Sequence, residues 1–209
     1  MQKVKFLCLI PLCMALLLCG CTPNVPQETN GSIVPPSSNE PTGTINSNMQ
    51  PVQSDTVAIL GQIWEQFSQE ERFACYGGSV EDAEENAPGS LELDNIEELA
   101  SKYLFPGAML QDVKEAASLV HMMNSNIFTA MVVRLSSDGD MEMLYKQWRD
   151  AIQNNRWICG QPDRLIMAQI DSDSLLMSFG SKDIMTQLQQ KLAAAYPNAA
   201  VLYNEAIVS

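Results

Sequence analysis

Few side chains in this sequence are equipped for chemistry. It has one histidine, six cysteines and 25 carboxylates among 209 residues. His121 stands in "SLVHMMN", where a hydrolase would need a nucleophile and an orienting acid at hand. The sequence offers no G-x-S-x-G elbow and no H-E-x-x-H pair, and its His and Cys are too few for a zinc site. His121 therefore reads as a structural side chain. Eight carboxylates, Glu81, Asp82, Glu84, Glu85, Glu92, Asp94, Glu97 and Glu98, crowd one stretch that holds no base. Hard cations such as calcium want several such oxygens. The spacing fits no EF-hand loop, however, and "DSDS" at Asp171 falls short of one too. A solvated acidic loop is the simpler expectation, with Asp94, Glu97 and Glu98 at the positive end of a short helix. Nothing in the pattern calls for a metal or a cofactor.

Two thiols, Cys75 and Cys159, fall in the long C-terminal part of the chain. In an oxidising space they can pair, and closing so long a loop would constrain the unfolded chain by about 4 kcal/mol. In a reducing habitat they stay as small apolar thiols. Sequence leaves both states open, because the reach between their Cα atoms is not written in it.

The other cysteines lie in a leader. Lys3 and Lys5 make a basic start, and Phe6 to Leu18 is almost wholly apolar. That run is shorter than the roughly 20 residues a spanning helix needs, and it has the grammar of a signal peptide. It ends Leu18-Cys19-Gly20-Cys21, which resembles the bacterial lipobox. The resemblance implies cleavage between Gly20 and Cys21 and transfer of a diacylglyceryl group to the Cys21 thiol, whose thiolate is a soft nucleophile. Cys19 takes a place more often held by Ala, Ser or Thr. Two acyl chains suffice for a stable anchor. The expected address is the extracytoplasmic face of a bacterial cell membrane.

Loss of residues 1–20 removes Lys3 and Lys5, leaving ten basic and 25 acidic side chains, a formal charge of −15. Such a body is a poor match for nucleic acid or for anionic lipid, so the lipid must do the anchoring. Residues 21–53 are the lipidated cysteine and a tether rich in Pro, Ser, Thr, Asn and Gly, with little to bury. As a coil it would have a dimension of about 30 Å. Residues 54–209 make one domain of ordinary size.

Within that domain Ser54 can cap a helix to about Ser68, in which Val57, Leu60, Ile63, Trp64 and Phe67 share a face. Asp94 can cap a short helix with Ile96, Leu99 and Tyr103 on one side. Ala117 to Met123 is ambiguous between helix and strand. With Asn124-Ser125-Asn126 as a turn it would form a hairpin with Ile127 to Leu135. Then follow a helix with Met141, Leu144, Tyr145, Trp148 and Ile152 in a stripe, strands at Leu165 to Ile170 and Leu175 to Phe179, a helix capped by Ser181, and a strand from Val201 to Val208. The β-α-β-β-α-β order predicts an α+β fold, a ferredoxin-like split βαβ with helices on one face of an antiparallel sheet, preceded by N-terminal helices and an extra hairpin strand. Trp64 and Trp148 lie on helical stripes and read as core. Trp157, after "QNNR", sits at a helix end, where with Tyr76, Tyr103 and Tyr196 it can line a binding patch. Met122, Met123, Met141, Met143, Met167, Met177 and Met185 read as core filling.

Met122-Met123-Asn124, Ile127 to Val133, Trp148, Pro162 and "SLLMSFGS" carry a further likeness. Together with the leader, they make the chain similar to a family of Gram-positive lipoproteins known only as a domain of unknown function. The likeness runs from about Thr56 to Ile207 and implies location and fold but no reaction. Two functions follow as expectations. One is a membrane-anchored binding or accessory module whose partner is a protein or envelope component. The other is a small envelope-acting hydrolase or modifying enzyme, which lacks a visible catalytic constellation.

Overall fold

The computed structural model describes residues 55–123, 127–158 and 160–208. Gly20, Cys21 and the tether therefore lie outside the described residues, as do the Asn124–Asn126 turn and Cys159. The elements run α1 (Asp55–Glu65), β1 (Cys75–Gly77), β2 (Glu84–Glu85), β3 (Gly89–Ser90), α2 (Ile96–Lys102), β4 (Val113–His121), β5 (Phe128–Leu135), α3 (Met141–Gln153), β6 (Arg164–Gln169), β7 (Ser174–Gly180), α4 (Lys182–Ala195) and β8 (Ala200–Ala206). Short 3-10 turns at Val80–Asp82 and Gly107–Asp112 punctuate them. The strands form one eight-stranded antiparallel sheet in the order β2-β1-β4-β5-β7-β6-β8, with β3 pairing β4. The fold is α+β, with helices packed on the sheet.

The β-α-β-β-α-β order from Phe128 is present, and each helix crosses over one intervening strand. Helices on one face of the sheet do not follow, however. Leu144, Trp148 and Ile152 of α3 pack with Met131, Val133, Leu165, Met167, Leu175 and Met177. On the other face α1 and α4 pack on Ala130, Val132, Ile166, Ala168 and Leu176. The reason is topological. From β5 to β6, and again from β7 to β8, the chain steps the same way along the sheet. The β7 strand runs opposite to β5, so a right-handed crossover places α4 on the face opposite α3. In a ferredoxin-like sheet the last strand would pair with the first. Here that edge of β5 is occupied by β4, and β8 adds beyond β6 instead.

Coverage on both faces explains why β5 and β7 read as near-continuous apolar runs: every residue of β7 and all but Arg134 of β5 are buried. It also settles the ambiguous Ala117 to Met123 stretch as strand through His121. The sequence there has no strict alternation because β4 too is covered on both sides, by Ala116 on the α3 face and Leu119 on the α1 face.

Local chemistry fixes the ends. Asp140 caps α3 by accepting from the Met143 N–H at 2.9 Å. The α2 cap is Asn95, whose side chain accepts from the Glu98 N–H, not Asp94. Ile96 at its start is 57 % exposed, so only Leu99 and Tyr103 hold the inner face. Ser181 makes no side-chain cap to α4; Asp163, next to β6, accepts from the Lys182 N–H at 2.8 Å instead. Gly77 and Gly89 let β1 and β3 approach closely, for a Cβ on Gly77 would stand 2.2 Å from the Gly89 nitrogen. Arg149 of α3 grips Glu205 of β8 through two hydrogen bonds of 2.6 and 3.0 Å, a paired fork geometry. Burial alone would raise the Glu205 carboxyl; the hydrogen bonds from Arg149 and Gln153 outweigh it and hold the carboxyl below the usual range.

Candidate binding cleft

At one end of the sheet the chain leaves two clefts open. One, of about 460 Å³, lies where β4 ends, β5 begins and the segment after α3 returns, and its walls include Leu104, His121, Met123, Thr129, Arg156 and Ile158. A second, of about 550 Å³, is walled by Gln153, Asn154, Gln161 and Val208. Asn155, Arg156 and Trp157 belong to both and form the partition between them. Volumes of this size are usual for small-molecule sites.

The partition is built where α3 stops. Asn154 ends the helix, its N–H bonding back to the Asp150 carbonyl and its side-chain amide donating to the same oxygen at 2.8 Å. Residues 155–158 and 160–163 belong to no helix or strand, with Arg156 and Ile158 exposed and Trp157 half-buried. Trp157 rests edge-on against Phe179, 5.3 Å between ring centroids. Its indole Nε1 is buried and has no hydrogen-bond partner among the described residues. A donor so placed costs about 1–3 kcal/mol. Across the cleft, Leu104 has φ +54°, the left-handed seat at a helix end that glycine usually takes. For a leucine this conformation costs roughly 1–2 kcal/mol. It holds because Tyr103 and Phe105 on either side are both buried and the Phe105 N–H closes back onto the Leu99 carbonyl at 3.1 Å. Leu104 and Trp157 both belong to the lining of this one opening. Met123 and Ile158, 58 % and 87 % exposed, give it an apolar rim.

The expected site residues are distributed as follows. His121 is buried, stacked on Phe73 with ring centroids 4.7 Å apart and planes within 10°. Its Nδ1 accepts from the Met123 N–H at 2.9 Å, which leaves the proton of a neutral ring on Nε2. Burial pushes its pKa down. Cys75 is a free thiol with no exposed surface, and burial pushes its pKa up to about 11. Of the eight clustered carboxylates, seven are exposed, while Glu98 is buried and bonds to Lys102 at 2.8 Å. Among the described residues no group of three or more His, Cys, Asp or Glu is placed to hold a metal ion. The aromatic patch imagined around Trp157 does not assemble from Tyr103. That residue is fully buried, donates to Ser118 Oγ at 2.9 Å, and is raised in pKa mainly by burial. Met167, Met177 and Met185 fill the core, whereas Met122, Met123 and Met143 are about half exposed.

Sequence reasoning missed Arg156 and Leu104. Leu104 had no signal, since nothing in "KYLFPG" marks a positive φ. Arg156 had one: it lies between Asp150 and Asp163 in a stretch without a carboxylate, on a chain that has 25.

No family model matches the chain, and neither a curated protein nor a solved structure is similar to it.

Proposed function

We propose that the chain is a lipid-anchored extracytoplasmic binding module, similar in layout to the Gram-positive lipoproteins its leader resembles. The double cleft beside Trp157 is its working surface. The observation that carries the binding reading is the rim itself. Met123 and Ile158 expose apolar surface beside a half-buried tryptophan whose N–H has no acceptor among the described residues, and such aromatic anchors are the usual hot spots of binding. The address rests on Leu18 to Cys21 and on the polar stretch behind it. No helix among the described residues is long and apolar enough to cross a membrane.

The hydrolase reading is disfavoured by the state of His121. Its single neutral lone pair is engaged by the Met123 N–H, so the ring has none left to take a proton from a nucleophile. Two measurements test the proposal. Cys21→Ser should abolish incorporation of labelled fatty acid, and unchanged labelling refutes the anchor. A photo-crosslinking side chain in place of Ile158 should yield a discrete adduct in cells, while the same side chain in place of Val80, 65 % exposed near the acidic loop, should not. Equal yields at both positions refute the cleft as the working surface.

A further inference from the structure

Charge is distributed unevenly over this molecule, and the clefts depart from its acidic average. The chain carries a formal charge of −13, yet neither cleft has an Asp or Glu in its walls. Residues 116–137 and 151–162, which supply most of both linings, contain none. Nor is the cation there neutralised. Lys102, Arg134, Lys146, Arg149 and Lys191 each pair with a carboxylate. Arg156 makes no ion pair or hydrogen bond among the described residues, and it is exposed at the wall the two clefts share.

We propose that the cleft binds a small amphiphilic carboxylate, with its apolar part among Leu104, Met123 and Ile158 and its carboxylate on the Arg156 guanidinium. This ligand class rests on the binding role proposed above. A planar guanidinium matches a carboxylate in two-point geometry. A phosphate would suit it as well in isolation. The surrounding molecule decides between them, because a net negative body repels a dianion more than a monoanion. The apolar rim supplies what a lone exposed ion pair cannot, since such a pair by itself contributes only about 0–1 kcal/mol. The half-buried Trp157 ring, in the wall that the two clefts share, adds an aromatic face to the same lining. A fatty acid and the C-terminus of an apolar peptide share this chemistry.

Calorimetry on the full chain, isolated from membranes and held in zwitterionic nanodiscs with empty discs as reference, tests the assignment. The probes are octanoate against octanamide, and N-acetyl-leucyl-phenylalanine against its amide. The expected result is that at least one acid binds roughly two- to fivefold tighter than its amide. Arg156→Gln should erase that advantage, and Arg156→Lys should keep part of it, all with unchanged melting. The pair that responds names the source. Equal affinity for acid and amide, an advantage that survives Arg156→Gln, or no heat from either pair overturns the proposal. If adducts still form from position 158 while no probe binds, the carboxylate assignment falls and the binding reading stands. If neither is seen, both fall.

Discussion

Trp148 and Trp157 belong to one face of the sheet and lie nine positions apart in the chain, yet they occupy opposite conditions. Trp148 sits in the middle of α3 with no exposed surface, edge-on to Phe105, and its N–H donates to the Tyr103 carbonyl at 2.8 Å. Trp157 lies past the end of the helix, half-buried, with its N–H unanswered among the described residues. The same side chain serves as a bolt in one place and as an open fitting in the other. What separates them is backbone: a helix in the first case fixes the ring against a carbonyl supplied by another element, and irregular chain in the second brings the ring no such acceptor among the described residues.

The contrast can be broken in graded ways. Trp148→Ala should be the most damaging change, at about 3–5 kcal/mol of unfolding free energy, which is a large part of the 5–15 kcal/mol available to a typical domain. Chemical denaturation would measure it, and a loss under about 1 kcal/mol would deny Trp148 its structural role. Ser118→Ala comes next. Ser118 Oγ accepts from both the Gly78 N–H and the Tyr103 hydroxyl inside the same core, so its removal strands two buried donors at about 1–3 kcal/mol each. The matched pair Trp148→Phe and Trp157→Phe sharpens the comparison further. The first strands a buried carbonyl and should destabilise by about 1–3 kcal/mol; the second deletes an unmet donor and should leave stability equal or slightly higher. Equal losses in both would erase the distinction drawn here.

The smallest effect concerns pH. His121 lines the same cleft as Trp157, and burial lowers its pKa below the ordinary 6.5. The unfolded chain therefore takes up the proton more readily than the folded one, and its stability contribution falls as pH drops below 6.5. His121→Asn offers an oxygen where Nδ1 accepts from Met123. Wild type should lose its lead over this variant between pH 7.5 and pH 5, and a lead that stays constant would show that the imidazole is not held neutral by burial.

Much of the fold was legible in the residues. The stripe of Leu144, Trp148 and Ile152, the two short strands around Asp171 and the helix behind Ser181 all fall within a residue or two of their observed bounds. Asp171 folds its own turn by accepting from the N–H groups of Asp173 and Ser174. What local pattern did not carry was partnership across the chain. The cap of α4 comes from Asp163, not Ser181, and no periodicity reveals a capping group from another element. Strand order escaped for the same reason, since apolar runs at Phe128–Leu135 and Ser174–Gly180 say that both faces are covered without saying by what. For the site, sequence offered Trp157 as a candidate but counted among its neighbours Tyr103, which is core.

The edge position of β8 has a consequence for the order in which the sheet opens. The β4–β5 and β6–β7 pairs join strands close in sequence, and the two units meet along β5 and β7. The β8 strand touches only β6 within the sheet and is fastened at its side by Arg149 to Glu205. An edge strand held from one side can lift before the centre of the sheet does. Amide hydrogens of Ala200–Ala206 should exchange well before those of Phe128–Leu135, and Glu205→Gln should widen that gap by loosening the clasp while leaving the centre of the sheet protected.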